Sequence, residues 1–200
     1  MTAKKIYIEG GGDSKELRAR CREGFRKLLE NADFKDRMPR LVACGGRRQT
    51  YDDFTTAHTQ SGGAYTAMLV DSEDVVANIE KPWDHLRKRP DDGWRRPANS
   101  TSEQVFLMTT CMETWIVADR LALRKHYAQV NETRLPALPD LEKRGRQEVQ
   151  DALEKATSAC KNAYEKGKRS FQVLGQLDPD TLKKHLPSFS RMTRILEKKL

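Results

Sequence analysis

Two clusters of acidic residues raise the question of chemistry. Residues 7–17 read YIEGGGDSKEL and residues 68–74 read MLVDSED. In the first, an apolar run ends at Glu9, three glycines follow, and Asp13 comes four residues after Glu9. In the second, Asp71 ends an apolar run, with Glu73 and Asp74 two and three residues on. Carboxylates gathered at one edge repel one another, and burying them without a partner costs free energy. A hard divalent cation with oxygen ligands, Mg²⁺ or Mn²⁺, resolves that conflict. Two such ions about 4 Å apart stabilise an in-line phosphoryl displacement. Gly10, Gly11 and Gly12 would let backbone N–H groups approach a phosphate unobstructed. Each part alone has an ordinary reading: a tight turn for the glycines, a helix N-cap for Asp13, a turn acid for Asp71. The pairing of E-G-x-x-D with D-x-E-D is more specific than any part.

The elements that must position these acids follow from periodicity. Lys4 to Ile8 reads as a strand. Asp13 to about Asn31 reads as a helix, with Leu17, Cys21, Phe25 and Leu28 on one face and Asp13 with Glu16 resembling a capping box. Arg40 to Cys44 is a second strand, Gln49 to about Gln60 a second helix, and Ala64 to Val70 a third strand. Both later strands are continuous apolar runs, as expected of strands covered on both faces. Strand, helix, strand, helix, strand predicts an α/β domain with a parallel sheet, whose functional groups gather at the carboxyl ends of the strands. Residues 89–102, rich in Pro, Gly, Asp, Asn and Ser, read as a loop. A fourth strand at about Gln104 to Met108 and a helix over Cys111 to Tyr127 follow. Beyond Pro136 the chain reads as helical: Asp140 to Glu165, Lys168 to Gln176, and a last segment opening at Asp178-Pro179. The division expected is a catalytic α/β domain over 1–135 and a basic helical extension over 136–200 packed on it.

Composition narrows the class. The chain has 200 residues, 37% hydrophobic and 33% charged, with a net charge of +8. Leu141 to Leu200 holds 14 Lys+Arg against 8 Asp+Glu, leaving 23 against 21 in the rest. A basic C-terminal part suits a polyanionic partner such as DNA or RNA. Cys21, Cys44, Cys111 and Cys160 are scattered and form no C-x-x-C pair, against a zinc finger or a disulfide scaffold. No apolar stretch reaches the roughly 18 residues of a membrane span, and the N-terminus has no signal-peptide core. The expectation is a cytoplasmic protein with no membrane partner.

The acidic motifs resemble the Toprim domain, the catalytic fold shared by topoisomerases, DnaG-type primases and OLD-family nucleases. Glu9 matches that family's Glu after the first strand. Asp71 with Glu73 matches its acidic pair after the third, as D-x-E rather than D-x-D. The four-residue step to Asp13 is similar to the nucleolytic OLD branch. Residues 109–123, TTCMETWIVADRLAL, are similar to an M-E-a-W-x-L-A-D segment of Toprim-like proteins related to the RloB-like group. Those proteins are often encoded beside AAA or ABC-type ATPases in bacterial defence loci. YEKGKRSFQVLGQLD and LPSFSRMTRIL resemble the end of the same family, so the likeness spans nearly the whole chain. It implies a Toprim-like, Rossmann-like parallel sheet flanked by helices. It adds Glu113 to the site acids and offers Lys166, with Lys168 second, as a catalytic lysine. Asp119, six residues after Glu113, is expected to be structural.

The resulting expectation is a metal-dependent endonuclease: Glu9, Asp13, Asp71, Glu73 and Glu113 hold one or two Mg²⁺ or Mn²⁺ ions, and Lys166 steadies developing negative charge. Trp94 with Arg95 and Arg96 in a loop, and Lys168 with Arg169, are the expected nucleic-acid contacts. Trp115 is expected in the core. The chain has no Walker motif, so the resemblance puts control in a separate partner ATPase. The rival reading is a silenced or non-catalytic subunit that docks on that ATPase.

Overall fold

The structure, a computed structural model, describes residues 4–200 except for the side chain of Lys168. Four strands, β1 (Lys5–Glu9), β2 (Arg40–Gly45), β3 (Thr66–Asp71) and β4 (Val105–Met108), form one sheet in the order β2-β1-β3-β4. Every pairing is parallel. The α/β architecture with a parallel sheet flanked by helices is therefore the one the periodicity predicts. Because β1 leads outward to β2 while β3 leads the other way to β4, the strand order reverses between β1 and β3. Their carboxyl ends, carrying Glu9 and Asp71, flank the crevice where α/β sheets place ligands.

Alternation along the strands feeds two cores. Ile6, Ile8, Ala67, Leu69, Phe106 and Met108 face one side. There they meet α1 (Lys15–Leu29) and six later helices: α4 (Met112–Ala118), α5 (Arg120–His126), α6 (Arg146–Thr157), α7 (Lys168–Leu174), α8 (Pro179–His185) and α9 (Pro187–Lys199). Tyr7, Met68, Val70, Val105 and Leu107 face the other side, covered by α2 (Arg47–Gln60) and α3 (Pro82–Lys88). The helices beyond residue 136 thus share one core with the sheet. Trp115 is fully buried at its centre, edge-on to Phe189 at 4.9 Å and to Phe25 at 6.4 Å. Asp119 ends α4 and caps α5 (Arg120–His126). It accepts from the Ala122 amide at 2.9 Å and from the Asp178 amide at 2.8 Å, tying α5 to the start of α8.

Three local expectations are corrected. Ser14, not Asp13, caps α1, its hydroxyl accepting from Leu17 N at 3.4 Å. The helix expected over Asp140 to Glu165 is broken: a 3₁₀ turn at Leu141–Lys143, an extended Arg144, then α6, then turns. Gly145 starts α6 from an extended conformation, which interrupts the run. Pro82 at the first turn opens α3, a short helix the sequence pattern had not distinguished.

Glu142 is buried beneath the start of α9, where its carboxyl accepts from Ser188 N at 3.1 and 3.2 Å and from the Ser188 hydroxyl. Burial pushes its carboxyl up to about 7, against the opposing pull of the Ser188 hydrogen bonds. A raised folded-state value means that this group's contribution is fully present below its unfolded value of 4.5 and lost as pH rises through about 7. Denaturant unfolding of the wild type and Glu142→Gln at pH 4.5 and pH 8 tests this. The stability of the variant relative to wild type should rise across that interval by up to about 3 kcal/mol. A pH-independent difference would contradict the assignment.

Candidate metal centre

The end of β1 is shaped by backbone constraints. Ile8 pairs with Ala43 but Glu9 pairs with Gly45, so the register skips a residue at the last step. Gly10 and Gly45 then exchange two hydrogen bonds, of 2.9 and 3.0 Å, closing the strand end. Gly11, at φ +86°, lies so close to Arg18 that a Cβ would stand 2.6 Å from the Arg18 Cα. These glycines serve close packing of the turn. The Gly10 amide is committed to Gly45 and is not a phosphate donor. The turn also carries Asp13 outward: its side chain is fully exposed, with the Arg18 guanidinium 3.8 Å away.

Three carboxylates do converge. Glu9, Asp71 and Glu73 each offer an oxygen lying within 4.8 Å of the others. The Glu9 Oε2 accepts from the Asp71 amide at 3.1 Å. The Asp71 Oδ1 accepts from the Met112 amide at 2.9 Å, at the start of α4. Glu73 adopts φ +66°, a left-handed conformation rare outside glycine, held by its amide donating to the Thr110 carbonyl at 2.9 Å. A donor set of three carboxylates fits a hard divalent cation such as Mg²⁺ or Mn²⁺ and not a soft one.

Two arginines supply the countercharge. Arg47, the first residue of α2, reaches Glu9 at 3.5 Å and also donates to the Asp71 carbonyl. Its other nitrogens donate to both oxygens of Asp92, at 2.9 and 2.6 Å. Trp94 covers it, the guanidinium lying 4.7 Å from the ring centre. Arg146, the first residue of α6, pairs directly with Glu73. A cation at a helix N-terminus opposes the helix dipole. Both guanidinium groups occupy that unfavourable position, so the neighbouring carboxylates account for their placement.

The electrostatics remain unbalanced at Asp71. Burial, then Glu9 and Glu113, pushes its carboxyl well above the ordinary range, against Arg146 and Lys166. Burial raises Glu9 as well, more than Arg47 and the Asp71 amide lower it. Burial also pushes Asp92 upward, but Arg47 and Arg89 outweigh it and hold that carboxyl below its usual value. The site thus combines one clamped ion pair with two carboxylates that are costly to ionise.

The other expected residues fall as follows. Glu113 is 1% exposed and adjoins Asp71 through Met112, but its own oxygens are taken by the Tyr164 hydroxyl at 2.5 Å and Gln150 at 3.2 Å. It is not one of the converging three. Lys166 is exposed and exerts its charge on Asp71. Trp94, expected to stack on bases, is 3% exposed, with Tyr51 stacked at 4.5 Å on one side and Arg47 on its ring; it has no free face to offer. Arg95 and Arg96 beside it are exposed, Arg96 donating to the Ser100 carbonyl at 2.7 Å. Arg169 donates to the Ala163 carbonyl at 2.6 Å, and the Lys168 side chain lies outside the described residues. Arg47, Asp92, Arg146 and Tyr164 were not anticipated. A signal existed for two of them: an arginine directly after glycine at a helix start, as in Gly46-Arg47 and Gly145-Arg146. Cys21 and Cys44 are buried, their thiols pushed up to about 12 chiefly by burial, which leaves them poor nucleophiles.

A carboxylate held at such cost should limit stability. In EDTA at pH 8, Asp71→Asn should melt about 2–4 °C above wild type, because the amide keeps the Met112 hydrogen bond without the buried charge. A melting temperature lowered by the same amount would show that the carboxylate is stabilising without metal.

Comparison with curated proteins and with solved structures returns no match. No helix among the described residues is long and apolar enough to cross a membrane. A family model described as a domain of unknown function, DUF4276, matches residues 8–197. That match takes in the end of β1 with Glu9, the other three strands, both arginines and the helical layer as far as Glu197, and the chain therefore belongs to the DUF4276 family.

Proposed function

We propose that this chain is a metal-dependent nuclease that hydrolyses phosphodiester bonds of DNA or RNA. The observation carrying the reading is the convergence of Glu9, Asp71 and Glu73 at the crevice between β1 and β3. These three would hold Mg²⁺ or Mn²⁺. The bound ion would lower the pKa of an attacking water and neutralise charge on the phosphate. Arg47, fixed by Asp92 and Trp94, orients Glu9. Glu113, fixed by Tyr164 and Gln150, adds negative potential behind Asp71. Lys166, whose charge reaches Asp71, would steady developing negative charge. Arg95, Arg96 and the basic C-terminal segment would follow the nucleic-acid backbone, a contact that weakens with salt.

The resemblance to Toprim-like proteins supports a cytoplasmic effector of a bacterial anti-phage system, controlled by a partner ATPase. A restrained form of the enzyme is favoured by one observation: Arg146 already occupies the Glu73 carboxylate. Where metal alone does not displace Arg146, engagement by the ATPase would then be needed for activity.

Plasmid DNA and total tRNA incubated with Mg²⁺ or Mn²⁺, with and without EDTA, test the reading. Cleavage by the wild type should fall at least about 100-fold in Glu9→Gln and Asp71→Asn, the scale of losing one electrostatic contact in a transition state. Cleavage that survives EDTA and both substitutions would refute it. Cleavage appearing only when the neighbouring ATPase is added would establish the restrained form.

A further inference from the structure

The two arginines at the acidic cluster are built differently, and the difference assigns them different tasks. Arg47 is immobilised. Its side chain is 14% exposed, Asp92 grips two of its nitrogens, the Asp71 carbonyl takes the third, and Trp94 closes over the plane. Arg146 has no such clamp. Its side chain is 32% exposed, and the partner found for it is the Glu73 carboxylate. It stands at the first position of the 12-residue α6, which starts from Gly145 without a side-chain cap. The backbone amides of that first turn therefore point the same way as its charge.

A divalent cation held by Glu9, Asp71 and Glu73 would compete with Arg146 for the same Glu73 carboxylate. Two cations sharing one carboxylate also repel each other, and the more exposed and less restrained one yields. Arg47 cannot yield, because Asp92 and Trp94 hold it whatever happens at Glu9. Arg146 can rotate away from Glu73 while remaining at the rim of the site. There its planar fork matches two phosphate oxygens, and α6 adds an N-terminus suited to an anion.

We infer that Arg146 is the phosphate-gripping residue of the site: it is stored on Glu73 while the carboxylates lack metal, and metal binding releases it to the scissile phosphate. This deepens the nuclease reading and rests on it. Metal and phosphate would then bind cooperatively, because the first ligand frees the group that grips the second. Arg47 is a positioning residue in the same site, with no release on metal binding.

The test separates metal affinity from phosphate affinity in the full chain, using Mn²⁺ alone and then inorganic phosphate in saturating Mg²⁺, both by calorimetry. Wild type, Arg146→Gln, Arg146→Lys and Asp71→Asn are compared, with circular dichroism reporting the fold. Arg146→Gln should bind Mn²⁺ roughly threefold more tightly, having lost the competing cation. It should bind phosphate about tenfold more weakly, with Arg146→Lys between it and wild type because an ammonium gives one point of contact. Unchanged phosphate affinity in a folded Arg146→Gln, or loosened Mn²⁺ binding, would overturn the inference and make Arg146 a support for Glu73. Wild type binding Mn²⁺ no better than Asp71→Asn would overturn the metal reading itself, a distinct result.

Discussion

The structure around the crevice depends on a single electrostatic constraint. Glu9, Asp71 and Glu73 bring three carboxyl oxygens within 4.8 Å of one another at the end of a buried sheet. Left alone, such a cluster would repel itself and resist burial. The chain answers with two guanidinium groups taken from helix starts, where the helix dipole disfavours them. Arg47 binds the Glu9 carboxylate at the end of β1, and Arg146 binds the Glu73 carboxylate just beyond β3. Even so, Asp71 stays far from its ordinary titration range. Three carboxylates against two guanidinium groups leave the site short of positive charge, which a small divalent cation can supply.

The surrounding architecture holds that arrangement in place. The reversal of strand order between β1 and β3 brings Glu9 and Asp71 side by side. The Met112 amide at the start of α4 fixes Asp71, and the next residue, Glu113, is fixed by Tyr164 and Gln150 from the helical layer. Trp115, two residues further, anchors α4 against α1 and α9. The C-terminal helices are therefore part of the site's support as well as its basic flank. Arg191 of α9 continues this role at the sheet edge, donating to the Val105 carbonyl of β4 at 2.9 Å.

What the sequence revealed follows from range. Apolar runs ending in Glu9 and Asp71 are local signals, and the strands, their parallel arrangement and these two acids could be read directly. Glu73 followed from its two-residue spacing to Asp71. Asp13 misled because three glycines in left-handed conformations turn the chain outward before it, and spacing carries no record of that direction. Trp94 misled because an aromatic in a polar loop reads as exposed, while Tyr51 and Arg47, more than forty residues earlier, fold over it. Asp92 and Tyr164 were illegible for the same reason: each gains its meaning from a partner distant in the chain. Arg47 and Arg146 were legible in part, as cations directly after glycine where a helix begins.

The most direct measurement is a crystal of the wild-type chain grown with Mn²⁺ and recorded at a wavelength where manganese scatters anomalously. The account predicts an anomalous peak bounded by the carboxylates of Glu9, Asp71 and Glu73, with the Arg146 guanidinium drawn off Glu73. Well-ordered carboxylates with Arg47 and Arg146 still paired to them, and no anomalous peak between them at millimolar Mn²⁺, would contradict it.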